Sequence, residues 1–440
     1  MKKALLYIAL LSFLLVSCTT TVKSEKTYSK NRSLIQEGKV SEVFIAAEDY
    51  EDPVLFNLDS GIVDFYKGNY ESAVRFFDLA DKEMERLSLK SSAESVRSYI
   101  ENDYARSYAG EDYEVIFSNL FSALSYAKMG NLEEALVDIK QSDLKLTDYQ
   151  INKSDEESDL TKIVFALTPN PFIWLTDSFE GKPYTQSPTA DYISMITYRS
   201  LGDDGNAEVD MRRLQEKGIN VESDDVKVPE GMARVNVLSL NGLIGRKVSH
   251  SARSEHFFGL VDYLPILVPY TVSWPFVEKG SCSVVLTRVD VSNGESFLLS
   301  PLEDLTESAR KSVNANLRKN YLRSWYRGYL KIVALAATRD AAIAIAYESD
   351  NAFAKNLTII GANVSFWVGV AAVNEAEVAD TRMAMYLPDN ISMGGITLEP
   401  GIYDFTVTYL LENGSRYVVP YYGVEVKENT LNLLSPQCPK

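Results

Sequence analysis

The chain has 440 residues, of which 46% are hydrophobic and 24% charged, and its formal net charge is −17 at pH 7. These proportions are typical of a folded globular protein and exclude an intrinsically disordered one. The length suffices for about two or three domains. The strong negative charge argues against binding to nucleic acid or to an anionic lipid surface.

The N-terminus has the parts of a lipoprotein signal. Lys2 and Lys3 precede an apolar run over residues 4–16, which is shorter than the roughly 20 residues that a membrane-spanning helix needs. The run ends in Leu15-Val16-Ser17-Cys18, which resembles the site cut by the lipoprotein signal peptidase. We therefore predict a signal peptide at residues 1–17 and lipid attachment to Cys18. Residues 18–30 would form a polar tether, and Thr19 favours the outer membrane.

Residues 31–220 show a helical pattern interrupted by three similar turns. In each turn a glycine ends one helix, and an alanine five residues later lets the next helix approach closely. The spacing resembles the tetratricopeptide repeat (TPR), a helix–turn–helix unit of about 34 residues. We predict a TPR-like α-helical repeat domain; an ordinary helical bundle with glycine turns is the alternative. The three pairs are Gly68 with Ala73, Gly130 with Ala135, and Gly202 with Ala207.

Stacked helical repeats form a concave groove that binds peptides or helices of other proteins. The phase of the first two units assigns eight residues to such a groove. The alternative is that intervening helices bury them. The candidates for binding a protein partner are Leu58, Ile62, Phe65, Tyr66, Phe117, Leu120, Leu124 and Lys128.

The pattern changes after an acidic, Pro229-containing stretch near residues 222–230. Residues 232–240 largely alternate between apolar and polar, which is typical of a half-buried strand. Further strand patterns follow, and Glu412-Asn413-Gly414 is a hairpin signal. We therefore predict an α+β fold in which a β-rich, sandwich-like domain over residues 230–440 follows the helical domain. A helical insertion would occupy about 302–373, with its apolar end, 357–373, as a buried core helix.

The residues that usually carry chemistry are scarce. The two histidines, His250 and His256, are six residues apart, which fits neither one face of a helix nor a zinc-finger pattern. No Gly-x-Ser-x-Gly motif is present. Cys282 and Cys438 would form a disulfide or remain unpaired thiols. We predict no metal, no cofactor and no enzymatic activity.

Four features together resemble an uncharacterised family of bacterial TPR-like lipoproteins. They are the Cys18 signal, the segment around the Gly130 turn, the Asn170-Pro171-Phe172 step, and Ala379-Asp380-Thr381-Arg382 followed by Leu387-Pro388. In that family the last run precedes a short strand ending in Leu-Pro and then a Pro-Gly-x-Tyr strand. Met383 and Ala384 stand here where the family often has Trp. The resemblance gives Asp380, Thr381 and Arg382 no known role.

The expected function is that of a lipid-anchored protein of the cell envelope that binds an envelope protein partner through its repeats. It would be a non-enzymatic scaffold or assembly factor. One alternative is a structural subunit of a secretion or surface-fibre apparatus. Another is a cell-wall hydrolase, which would need a second carboxylate beside Asp380 in a deep pocket.

Overall fold

The computed structural model describes residues 22–88, 104, 107–155, 181–258 and 266–440. The predicted signal peptide, Cys18 and the Asn170-Pro171-Phe172 step lie outside these ranges. The described chain is a mixed α+β structure with ten helices and several sheets, which confirms the mixed fold class. Its first helix begins at Val22, inside the segment predicted as a tether.

Seven of the described helices precede residue 220, and local sequence explains where they start. Asp52 caps the second helix by accepting a hydrogen bond from the Val54 amide, and Pro53 occupies its first turn. An acidic cap satisfies an amide that the helix leaves free, and proline fits the first turn. The helices are α1 (Val22–Gln36), α2 (Pro53–Tyr66), α3 (Tyr70–Ser88), α4 (Asp112–Lys128), α5 (Leu132–Asp155), α6 (Pro188–Ser200) and α7 (Asp204–Glu216).

The three glycine turns join helices that pack as consecutive pairs: α2 with α3, α4 with α5, and α6 with α7. Gly68, Gly130 and Gly202 have φ angles of 79°, 83° and 77°, a left-handed conformation that favours glycine. The alanine that follows each glycine is fully buried. The predicted geometry of the three turns is therefore confirmed.

Eleven described strands form two sheets and a separate ribbon. One sheet has the order β10-β1-β7-β6, with β11 also paired to β1; the other has the order β5-β4-β8-β9; β2 and β3 form the ribbon. The strands are β1 (Ala233–Asn241), β2 (Lys247–Phe258), β3 (Ile266–Val277), β4 (Val284–Val291), β5 (Ser296–Leu298), β6 (Ser300–Asp304), β7 (Asn390–Leu398), β8 (Gly401–Leu411), β9 (Arg416–Val426), β10 (Asn432–Leu434) and β11 (Gln437–Cys438).

Strand β1 lies where two parts of the described chain meet: the helical half, which precedes residue 220, and the C-terminal half, residues 230–440. Val235 and Val237 belong to the apolar cluster between the sheets, whereas Leu238 and Leu240 belong to the cluster of the helical half. Successive side chains of a strand point to opposite faces, and here both faces are covered. The expectation that β1 is half-buried was therefore wrong. One core runs across the predicted boundary at residues 222–230, and the division into two domains stays a prediction.

Of the three remaining helices, the last two share a separate apolar core with the β2–β3 ribbon. The first also packs against β3, but its Leu305 and Ala309 belong to the apolar cluster of the helical half. Glu377, just after the last helix, accepts hydrogen bonds from Arg327 of the preceding helix and from Ser273 of β3. This buried ion pair ties the helices to the ribbon. The helices are α8 (Leu305–Ala315), α9 (Leu317–Tyr347) and α10 (Ala352–Ala376).

Helix α10 is not the buried core helix that the sequence suggested. It buries Phe366, Val370 and Val373 against α9 and the β2–β3 ribbon, but most of its first half is exposed. Within the described residues it is the one helix long and apolar enough to cross a membrane. High apolar content predicted burial correctly only for the residues that α9 and the ribbon cover.

Candidate functional site

Of the eight residues predicted to line a partner-binding groove, six are buried, and Tyr66 and Lys128 are half-buried. The six apolar ones have at most 2% of their surface exposed. Tyr66 and Lys128 donate hydrogen bonds to the main-chain carbonyls of Tyr386 (2.9 Å) and Leu433 (2.7 Å). Burial lowers the pKa of Lys128 to about 8.

The groove prediction was therefore wrong, because the chain's own C-terminal half covers these helices. Met383, Tyr386, Leu387 and Ile391 belong to the same apolar cluster as the predicted groove residues. Helical phase shows which face of a helix is apolar. It does not show whether another protein or a distant part of the same chain covers that face.

The Asp380–Arg382 segment lies at the contact between the two halves and has no strand structure. Both carboxylate oxygens of Asp380 accept hydrogen bonds from the Arg382 guanidinium, at 2.9 and 2.7 Å. That guanidinium also lies 3.6 Å from Asp52 and over the rings of Tyr104 and Tyr108. The Thr381 hydroxyl shares a hydrogen bond with the Tyr104 hydroxyl. Asp380, Thr381 and Arg382 thus form one cluster with the helical half.

Two buried carboxyls hold the backbone that follows Arg382, where a short strand was expected. Glu114 accepts a hydrogen bond from the Ala384 amide at 2.6 Å, and Asp59 accepts one from the Met385 amide at 2.8 Å. Burial raises the pKa of Asp59 to about 8 and that of Glu114 to about 7. These side chains take the role that a neighbouring strand would have, so the strand prediction for this segment was wrong.

Asp52 and Asp380 meet at Arg382, which is the kind of carboxylate pair that a hydrolase would use. Burial raises the pKa of Asp52. Burial would also raise the pKa of Asp380, but the charge and hydrogen bonds of Arg382 outweigh this and lower it. However, Asp52 accepts hydrogen bonds from the amides of Val54 and Tyr108, and Asp380 is saturated by Arg382. These hydrogen bonds order the backbone around Arg382.

A cleft of about 1070 Å³ opens beside this cluster, between the helical and C-terminal halves. Thr381, Arg382 and Asp52 lie on its wall, whereas the candidate groove residues do not. The other contributions come from both halves: α1, the end of α3, the start of β2, and the turn after β3.

Helix α10 carries a second candidate surface, a row of exposed apolar side chains. We call it the apolar stripe: Phe353, Leu357, Ile360, Val364 and Trp367, with 78, 60, 60, 58 and 43% of their surface exposed. The residues follow one another at steps of four, three, four and three. This is the a/d spacing of a coiled-coil seam. Its 3.5-residue period is present in the sequence, but the high apolar content of residues 357–373 predicts a buried core helix there and not an exposed seam.

The histidines and cysteines do not form a chemical site in the described chain. His250 packs against Phe276 on the ribbon, and no group of three or more His, Cys, Asp or Glu in the described residues could hold a metal. Cys282 and Cys438 are free thiols, so the possible disulfide is not formed, although both segments adjoin Gly242. Burial raises the pKa of both thiols to about 11, which keeps them protonated and unreactive near neutral pH.

Comparison of the chain with protein-family models, with curated proteins and with solved structures gives no match. The functional argument therefore rests on the residues and geometry described above.

Proposed function

We propose that this chain is a lipid-anchored scaffold of the bacterial cell envelope that acts through protein–protein contact and not through catalysis. The signal ending at Cys18 supports lipid anchoring, and Thr19 supports the outer membrane. The three helix pairs joined by left-handed glycine turns support a TPR-like helical half. The single observation that carries the proposal is the apolar stripe on α10.

The stripe suits a helix as its binding partner. Two apolar positions per heptad give a narrow seam, narrower than the face that a helix presents to a protein core. The polar side chains next to the stripe form their hydrogen bonds within α10. The Thr358 hydroxyl donates to the Ala354 carbonyl, and the Asn363 side-chain amide donates to the Ile359 carbonyl. These groups therefore lose little when another helix excludes water from this face.

The helix that fits the stripe best is α10 of a second copy. Two copies of a protein with a net charge of −17 repel each other over most of their surfaces. Residues 356–374 contain no Lys, Arg, Asp or Glu, so two α10 helices can meet without bringing like charges together. Such self-association also agrees with the alternative of a structural subunit in an envelope assembly.

A lipid bilayer suits the stripe less well, although α10 is long enough to span one. The turn between α9 and α10 carries two carboxylates, Glu348 and Asp350. Farther along α9, Arg339 and Asp340 form a buried ion pair that would lie at membrane depth. Ionised groups at that depth are costly.

Cysteine crosslinking in intact cells tests this proposal. Cys282 is replaced by Ser and Cys438 by Ala, and Ile360→Cys is then introduced. Ile360 is the centre of the stripe, so it faces its own counterpart in either a parallel or an antiparallel pair of α10 helices. The matched control is Val418→Cys, an exposed apolar position on β9.

We expect Ile360→Cys to give a crosslinked product of twice the chain mass, and Val418→Cys to give none. Adding Val364→Asp to the Ile360→Cys chain should abolish the product, because it places charges opposite each other in the seam. A product that contains a different protein would assign the stripe to another partner. No product at all would leave the bilayer as the occupant. Either result would contradict self-association.

A further inference from the structure

The cleft between the two halves holds an unusual set of charges for such an acidic chain. Most charged residues on its walls are neutralised by a neighbour. Arg246 pairs with Glu278, Lys247 with Glu111, and Arg382 with Asp380. Arg86 pairs with Glu83 at the end of α3. Glu51 is an exposed carboxylate at the edge of the lining.

Arg32 of α1 is the exception. Its guanidinium donates to the carbonyl oxygens of Met385, at 2.5 Å, and Ile244, at 2.8 Å. These bonds hold the side chain in place but supply no negative charge, and no described carboxylate forms an ion pair with Arg32. Burial, together with the like charge of Arg246, lowers its pKa to about 10, while the carboxyls of Asp59 and Asp389 oppose this shift. The group therefore remains a cation at neutral pH.

Lys279 adds a second such charge. It lies in the turn after β3, is exposed, and forms no ion pair within 4 Å with another described residue, although its charge partly offsets the raised pKa of Asp389. Arg246, the third cation of this wall, has only an exposed ion pair with Glu278, which is weak and easily exchanged. Three cations thus face one cleft, and the half-buried Arg32 is held in place by main-chain carbonyls.

We propose that this cleft binds a small anionic ligand whose carboxylate or phosphate group contacts Arg32, Arg246 and Lys279. Arginine suits both groups because its planar guanidinium donates parallel hydrogen bonds to them. A cleft of about 1070 Å³ holds a ligand much larger than a bare ion. Tyr28 and Tyr50, whose rings meet edge to face at 5.1 Å, offer it an aromatic wall.

This inference is independent of the apolar stripe. The stripe lies on α10, and no α10 residue lines the cleft. A monomeric protein could therefore bind the ligand, and a self-associating one could lack it.

Isothermal titration calorimetry of the full chain in mild detergent tests the inference, with citrate as the carboxylate probe and inorganic pyrophosphate as the phosphate probe. Arg32→Gln removes the fixed cation. Because Arg32 also holds two main-chain carbonyls, Lys279→Gln is the second variant, since Lys279 is exposed and makes no comparable contact. The control is Arg288→Gln, which removes an exposed arginine on β4 outside the cleft.

We expect the wild type to bind at least one probe, and the probe that binds identifies the group recognised. Each cleft variant should weaken binding about tenfold or more, the usual effect of losing a charged hydrogen-bond donor. Arg288→Gln should bind as the wild type does. If neither probe binds, or if Lys279→Gln and a folded Arg32→Gln bind as tightly as the wild type, the inference is overturned.

Discussion

Buried carboxyls on the helical half fix the backbone of the segment that carries Asp380, Thr381 and Arg382. Asp59 and Glu114 each accept a main-chain amide of that segment, and each has a raised pKa because it is buried. Carboxyls of this kind are favourable when protonated and become costly as they ionise. The contact between the two halves should therefore depend on pH.

The unfolding free energy should fall as pH rises, through the titration of these two groups. Their pKa values in the unfolded chain are near the ordinary values of 3.8 and 4.5, and folding raises them to about 8 and about 7. Their contribution is complete below about pH 4 and is lost as pH rises through the folded values. Each group contributes a slope of at most about 1.4 kcal/mol per pH unit in that window.

Urea unfolding of the wild type and of Asp59→Asn/Glu114→Gln at pH 5, 7 and 9 measures this contribution. We expect the double variant to lose less stability than the wild type between pH 5 and pH 9, because its amides do not ionise. Parallel pH profiles for the two proteins would contradict the assignment.

Two helical glycines, Gly61 and Gly361, differ in whether a neighbouring helix packs closely against them. A Cβ added to Gly61 in α2 would lie 2.7 Å from Cε1 of Phe77 in α3. A Cβ added to Gly361 in α10 would meet nothing within 4 Å. A change from glycine to alanine therefore alters helix propensity at both positions but disturbs side-chain packing only at Gly61.

Gly61→Ala should destabilise the protein by about 1–3 kcal/mol, because the Phe77 ring must move within a filled core. Gly361→Ala should be neutral or stabilise by up to about 1 kcal/mol, since alanine favours helix and no contact is disturbed. Thermal unfolding of both variants provides the comparison. A Gly61→Ala protein as stable as the wild type would show that α2 and α3 are less closely packed than described.

The two halves of the molecule should behave as one unit, because β1 is covered on both faces and the groove helices pack against Met383 and Tyr386. Leu120→Ala in α4 should cost about 2–5 kcal/mol. Hydrogen exchange should then show faster exchange of β1 amides as well as of α4 amides. Faster exchange confined to the helical half would contradict a shared core and would favour two separate domains.

Local features of this fold, such as turns, could be predicted from sequence. Which distant segment of the chain packs over a given helix could not. Gly68, Gly130 and Gly202 determine their turns within a few residues, and their left-handed φ angles follow from that. The burial of Phe65 and the exposure of Ile360 depend instead on which distant segment covers each helix. Both helices are apolar in sequence, so the sequence predicts a groove on α2, which is in fact interior, and a buried core helix at α10, which is in fact largely exposed.

The cluster around Arg382 could likewise be predicted only in its local part. Asp380 and Arg382 are two residues apart, so an ion pair between them could be expected. Asp52, Tyr104 and Arg32 reach the same region from more than 270 residues away. No sequence period indicates such an approach, and the cleft could be recognised only once both halves were placed together.

The central claim is that the apolar stripe of α10 joins two copies of this scaffold. The most direct test is sedimentation velocity of the full chain in mild detergent over a range of protein concentrations. Ile360→Asp is compared with Val418→Asp, which places the same charge on the β9 surface. We predict that the wild type and Val418→Asp form dimers or larger assemblies, while Ile360→Asp remains monomeric with unchanged circular dichroism. A wild type that stays monomeric at every concentration, or an Ile360→Asp protein that associates as strongly as the wild type, would contradict the account.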